Sequence, residues 1–160
     1  MKRHFTATAF VVQEGRTLLH WHRKLGQWMP PGGHLLENED PVAGALREVR
    51  EETGIEAELI ATAARLPFDE PEQLPAPYTI MIEDIPDEAD PHQHIDFIYF
   101  CRPLPGQTAR APHDDDVLLW VTQDQLERNE PLPLNGTPVA VPEDVRLLAL
   151  AAIRMEEANE

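Results

Sequence analysis

Basic residues are scarce in this chain of 160: 13 Lys and Arg stand against 29 Asp and Glu, a net charge of −16. No basic stripe can form to offset phosphate repulsion, so a nucleic-acid polymer is excluded as a partner. Cysteine is nearly absent. Cys101 alone cannot close an internal disulfide, and no C-x-x-C spacing is available for zinc or redox chemistry. It sits in an apolar strand pattern and reads as a core thiol rather than a nucleophile. Long apolar runs are also missing, so no segment is expected to span a membrane. The opening MKRHFTATAFVVQEG has basic residues ahead of small ones. Its apolar stretch is short and broken by threonines, so it reads as a first strand and not a signal peptide, with the cytoplasm as the default location. There is no internal repeat and no low-complexity tract.

What is present is enough for a full core. The length and the 42% hydrophobic content are those of one globular domain, expected over residues 1–160. Strands are expected at 5–13, 17–23, 57–66, 78–85 (at an edge), 97–104 and 117–121. Thr122 and Gln125 form a capping box for a short helix. Residues 131–137 read as a loop with an Asn135-Gly136 turn. A final helix over about 142–157 is expected to bury Leu147, Leu148, Ala151 and Met155. Prolines at 67, 71, 75, 77, 86 and 91 exclude helix from 67–93, which reads as long substrate-side loops around that edge strand.

The richest stretch is Gly33 to Ile55, GHLLENEDPVAGALREVREETGI. Pro30-Pro31-Gly32-Gly33 disfavours regular structure and lets backbone approach a ligand closely. Asp40 is a good N-cap and Pro41 suits the first helical position, where its missing N–H costs nothing. Gly54 suits a left-handed C-terminal cap, with Ile55 making the apolar contact that accompanies it. Between them, Val42, Ala45, Leu46 and Val49 form an apolar stripe. Glu48, Glu51 and Glu52 gather on a neighbouring stripe, with Gly44 one turn above leaving that side bare. Like charges at this spacing weaken an isolated helix. Clustered beside a core-facing stripe, they suggest a hard cation, Mg²⁺ or Mn²⁺, which favours oxygen ligands. Arg47 is placed to hold a carboxylate through a bidentate pair. A plain solvated acidic face is the competing reading.

Gly33, Glu39, Arg47, Glu48, Val49, Glu51, Glu52, Gly54 and Ile55 fill every fixed position of G-x5-E-x7-R-E-U-x-E-E-x-G-U, where U is a bulky aliphatic residue. This stretch resembles the Nudix box, and Trp28 to Gly33 resembles its usual approach. The resemblance implies an α/β (α+β) fold: an α/β/α sandwich with a mixed sheet, the box loop–helix and a C-terminal helix. It implies Mg²⁺- or Mn²⁺-dependent hydrolysis of a phosphoanhydride in a nucleoside diphosphate linked to another group. Carried over by position, Glu48 and Glu52 are metal ligands, Glu51 ligates directly or through water, and the Gly32 carbonyl adds an oxygen. Glu39 and Arg47 brace the loop–helix unit. Either Glu51 or an acid of the Asp114–Asp116 run accepts the water's proton. Such proteins often form homodimers, and a homodimer is among the arrangements the resemblance allows.

Other residues carry both a functional and a bland reading. The resemblance makes Arg23 or Lys24 a candidate for contacting substrate phosphates, against the plainer reading of a solvated strand end. His34 is placed to reach phosphate or leaving group. By the same resemblance, Asp114 or Asp115, just before a Trp-containing strand, is the candidate for an extra metal ligand or the base. Trp28 reads as core, and Phe68 and Tyr78 as base-stacking or core-capping residues. His92, His94 and Asp96 alternate onto one strand face like a His/Asp metal set. Zinc sites need further ligands around the ion, and a hydrogen-bonded strand face is the plainer reading. The partner is then a small nucleotide-type molecule, whether nucleotide, sugar nucleotide or dinucleoside polyphosphate. The alternative is a nucleotide-sensing domain without turnover. Such domains usually lose box glutamates, and this chain has lost none.

Overall fold

The computed structural model describes residues 1–159. Its elements run β1 (Arg3–Gln13), β2 (Arg16–His22), β3 (Gln27–Met29), β4 (Gly32–His34), α1 (Pro41–Thr53), β5 (Ala57–Leu59), β6 (Thr79–Ile85), β7 (His92–Pro103), β8 (Leu118–Thr122), α2 (Gln123–Glu127), β9 (Leu132–Leu134), β10 (Thr137–Val139) and α3 (Glu143–Ala158). The main sheet is mixed. β1 and β7 run parallel at its centre, from Arg3 opposite Gln93 to Val11 opposite Cys101. Each central strand carries two antiparallel partners in succession on its outer edge. β1 pairs with β4 at Thr6–Thr8 and with β2 at Val12–Gln13. β7 pairs with β6 at His92–Ile98 and with β5 at Cys101–Pro103. This splays the outer edge of β1 at the Gly32–Gly33 segment, and the site forms there.

Strand alternation divides the core. Ala7, Ala9, Val11, Tyr99 and Cys101 pack with Ala45 and Val49 of α1 and with Ile55 just after it. Phe10, Val12, Ile98 and Phe100 face α3, through Val145, Ala149, Ala152 and Ile153. Small residues on the α1 side let that helix lie close to the sheet. Trp28 is fully buried and its indole N–H donates to the Val139 carbonyl at 3.1 Å. Cys101 is buried as well, and burial pushes its thiol up to about 12, which leaves it inert. Tyr78 caps the core, stacked on Phe100 at 4.4 Å.

Several expectations need correction. The short strand expected at His34 begins two residues earlier, at Gly32, because β1 supplies hydrogen-bond partners that the glycines' own propensity does not predict. The strand expected at 57–66 stops at Leu59, and the last bond to β7 is from the Ile60 N–H to the Phe100 carbonyl at 2.9 Å. β7 starts at His92 rather than 97, so the histidines lie inside the sheet. The loop at 131–137 is a hairpin, with Asn135-Gly136 turning between β9 and β10. Leu147 is exposed, since α3 is rotated to bury Val145, Ala149, Ala152 and Ile153 instead. Gly44 is not bare: a Cβ there would strike Leu35 and Glu39, so the glycine admits the loop against the helix. No helix among the described residues is long and apolar enough to cross a membrane.

Candidate active site

Helix α1 is set locally. The Asp40 carboxylate accepts from the Ala43 N–H at 2.8 Å, with Pro41 opening the helix. Gly54, at φ 72°, closes it by donating to the Arg50 carbonyl at 2.9 Å. The preceding loop is fixed to β1, where Ala9 N–H donates to Pro31 O and Leu35 N–H to Phe5 O, both at 3.0 Å. At Gly32 a Cβ would lie 2.5 Å from Thr8 Oγ1, so only glycine lets this segment lie on β1.

Arg47 joins loop and helix. Its Nε and Nη2 donate to both oxygens of Glu39, at 2.8 and 2.9 Å. Nη1 donates to Glu48 at 2.9 Å and Glu51 at 3.1 Å, and Nη2 to the His34 carbonyl at 3.1 Å. Glu39 in turn accepts from the Leu36 N–H at 3.1 Å. These contacts hold Glu39 below the ordinary carboxylate range, the Arg47 bond being the largest cause. The same contacts raise the arginine.

Glu48 behaves differently. Burial, and after it the neighbouring Glu52, pushes its carboxyl up to about 7 despite Arg47. Glu52 Oε2 is buried without a hydrogen bond. His20 Nε2 stands 3.0 Å from it, outside hydrogen-bond alignment. Two adjoining carboxylates, one oxygen unfilled and one group reluctant to ionise alone, fit a divalent cation with oxygen preference. Glu51 is mostly exposed, held on one side by Arg47.

Beside the glycine loop lies a cavity of about 450 Å³, lined by Gly32, Gly33, His20, His22, Glu83 and Asp96 among others. Thr8 Oγ1 lies 2.9 Å from both oxygens of Asp96. Burial and the Asp96 charge push Glu83 up to about 8, and burial also raises Asp96. The two carboxyls thus disfavour carrying charge together.

The other sequence-singled residues are dispersed. Arg23 is ion-paired to Asp115 at 3.0 Å and Asp116 at 3.3 Å, and Lys24 to Asp87 at 3.3 Å. Asp114 is exposed. His34 points into a group with His4, His92 and His94.

The NUDIX domain model matches residues 2–140. The chain belongs to the Nudix hydrolase family. A NUDIX-family hydrolase from Clostridium perfringens is 26% identical, with a TM-score of 0.72 over 98% of this chain and 99% of that one. The MutT NUDIX hydrolase from Burkholderia pseudomallei shares the fold at 22% identity and TM-score 0.61, over 95% and 98% of the two chains. The ORF135 protein of E. coli shares it at 19% identity and TM-score 0.52, over 100% and 94%. No curated protein matches. Within this Nudix fold, sequence reading passed over the contact of His20 with Glu52 and the pairing of Glu83 with Asp96. Neither has a local signal, since each joins segments distant in the chain.

Proposed function

We propose that the protein hydrolyses a phosphoanhydride bond in a nucleoside diphosphate linked to another moiety, with Mg²⁺ or Mn²⁺ held by Glu48, Glu52 and Glu51 and by the Gly32 carbonyl. The carrying observation is the adjoining Glu48–Glu52 pair with its unfilled buried oxygen, set beside the glycine loop. A divalent ion there supplies charge neutralisation for the diphosphate and acidifies a water. Glu39 and Arg47 act by position, fixing loop to helix and steering Glu48 and Glu51. Glu51, exposed and restrained by Arg47, accepts the proton as water attacks phosphorus in line. Asp114 or Asp115 is the alternative acceptor. Arg23 and Lys24 supply substrate contacts by exchanging their present carboxylate partners for phosphate. The products are a nucleoside monophosphate and the phosphorylated remainder, in a cytoplasmic setting.

The test is Glu52→Gln, assayed on a panel of nucleotides, sugar nucleotides and dinucleoside polyphosphates with Mg²⁺. The variant keeps the wild-type circular dichroism and loses about a hundredfold or more of monophosphate release. Near-wild-type release overturns the assignment.

A further inference from the structure

Away from the box glutamates, four imidazoles converge from three strands: His4 on β1, His34 on β4, and His92 and His94 on β7. The pairing explains the convergence. β1 lies between β4 and β7, with Thr6 opposite both His34 and Asp96, and His4 opposite His94. One nitrogen from each of His34, His92 and His94 lies within 4.8 Å of the others.

The geometry points to a second metal site, in which His34, His92 and His94 bind a nitrogen-preferring divalent ion of the Zn²⁺ class. His92 Nδ1 is 2.6 Å from the Asp90 carbonyl. A carbonyl only accepts, so Nδ1 carries the hydrogen and the lone pair of the neutral ring lies on Nε2. That is the outer hydrogen bond that orients a metal-binding histidine. His92 Nε2 and His94 Nε2 are 3.1 Å apart. Two imidazole nitrogens on one tetrahedral zinc stand about 3.3–3.4 Å apart, from bonds of about 2.0–2.1 Å. The pair is thus spaced nearly as two ligands of one ion. His4 supplies an independent sign. Its Nε2 is buried without a partner, and its ring lies 4.9 Å from His92 and 5.1 Å from His34. Its ring adjoins the cluster without being one of its three ligands.

The donor chemistry separates this site from the box. Imidazoles suit zinc, copper and nickel, whereas carboxylates suit magnesium and manganese. Strand alternation separates them as well: Gly33 abuts Glu48, whereas the next residue, His34, turns to the other face of β4 and joins the histidine group. The inference stands whether or not the box assignment does.

Cobalt tests it, since four- or five-coordinate nitrogen-bound Co²⁺ absorbs strongly in the visible and oxygen-bound six-coordinate Co²⁺ only weakly. Untagged protein is stripped with chelator and titrated with Co²⁺. One equivalent is expected to give a strong band that Zn²⁺ removes and excess Mg²⁺ does not. His94→Ala is expected to weaken Co²⁺ binding by about tenfold or more, and Glu52→Gln to leave the band in place. His34→Ala, at an exposed position, is expected to give the same loss and guards against misfolding of the first variant. No strong band at any ratio overturns the site, as does a band that survives both histidine variants or disappears with Glu52→Gln.

Discussion

Gly33 and Glu48 touch so closely that a Cβ on the glycine would lie 2.5 Å from Glu48 Oε1. The glycine therefore matters through space and not through a special backbone angle. Gly33→Ala must push the carboxylate off its place or lift the loop from β1. The expected outcome is a loss of about tenfold or more in apparent Mg²⁺ affinity, with little change in the melting temperature. Calorimetric titration beside a thermal melt checks it. Unchanged affinity would mean that Glu48 has another resting place.

Arg47 makes five hydrogen bonds to three carboxylates and one carbonyl. Lysine keeps the charge but cannot form the planar two-pronged contact with Glu39. Arg47→Lys is expected to destabilise the fold by about 1–3 kcal/mol in urea unfolding. It is also expected to lower kcat more than it raises KM, because the glutamates lose their steering rather than the substrate its contacts.

Glu83 predicts a pH dependence of stability. Its carboxyl is raised to about 8, first by burial and then by Asp96. A group raised in the folded state stabilises below its unfolded value and loses that contribution as pH rises through the folded value. The chelator-treated protein should lose stability between about pH 5 and pH 8 through this group. Glu83→Gln, which cannot ionise, should flatten that slope in urea midpoints measured across the window. An unchanged slope would show that Glu83 titrates normally.

Legibility followed the range of the interaction. Helix α1 could be read because Asp40, Pro41 and Gly54 act on their immediate neighbours, and the capping box at Thr122 and Gln125 for the same reason. The family came from one contiguous motif. What escaped was long-range. The parallel pairing of β1 with β7 sets His4 opposite His94, and nothing near either residue announces it. The phase of α3 escaped as well. Leucines at 147 and 148 look equally apolar, and only the position of the sheet decides which is buried. Gly44 showed as a gap in the helix face, but that Leu35 fills it depends on the loop's course.

Glu48 predicts that cation binding at the box releases a proton. In the cation-free protein, burial and the Glu52 charge raise its carboxyl to about 7. Below that pH the proton must leave before the carboxylate can serve as a ligand, so proton and cation compete. Apparent Mn²⁺ affinity should then fall as pH is lowered from 8 to 6, approaching about tenfold per pH unit below the folded value. Titration near pH 6.5 in two buffers of different ionisation enthalpy should return a release of roughly half a proton or more per ion. Glu48→Gln should bind more weakly and show a shallower pH dependence. Proton release that persists undiminished in that variant would transfer the competing group elsewhere.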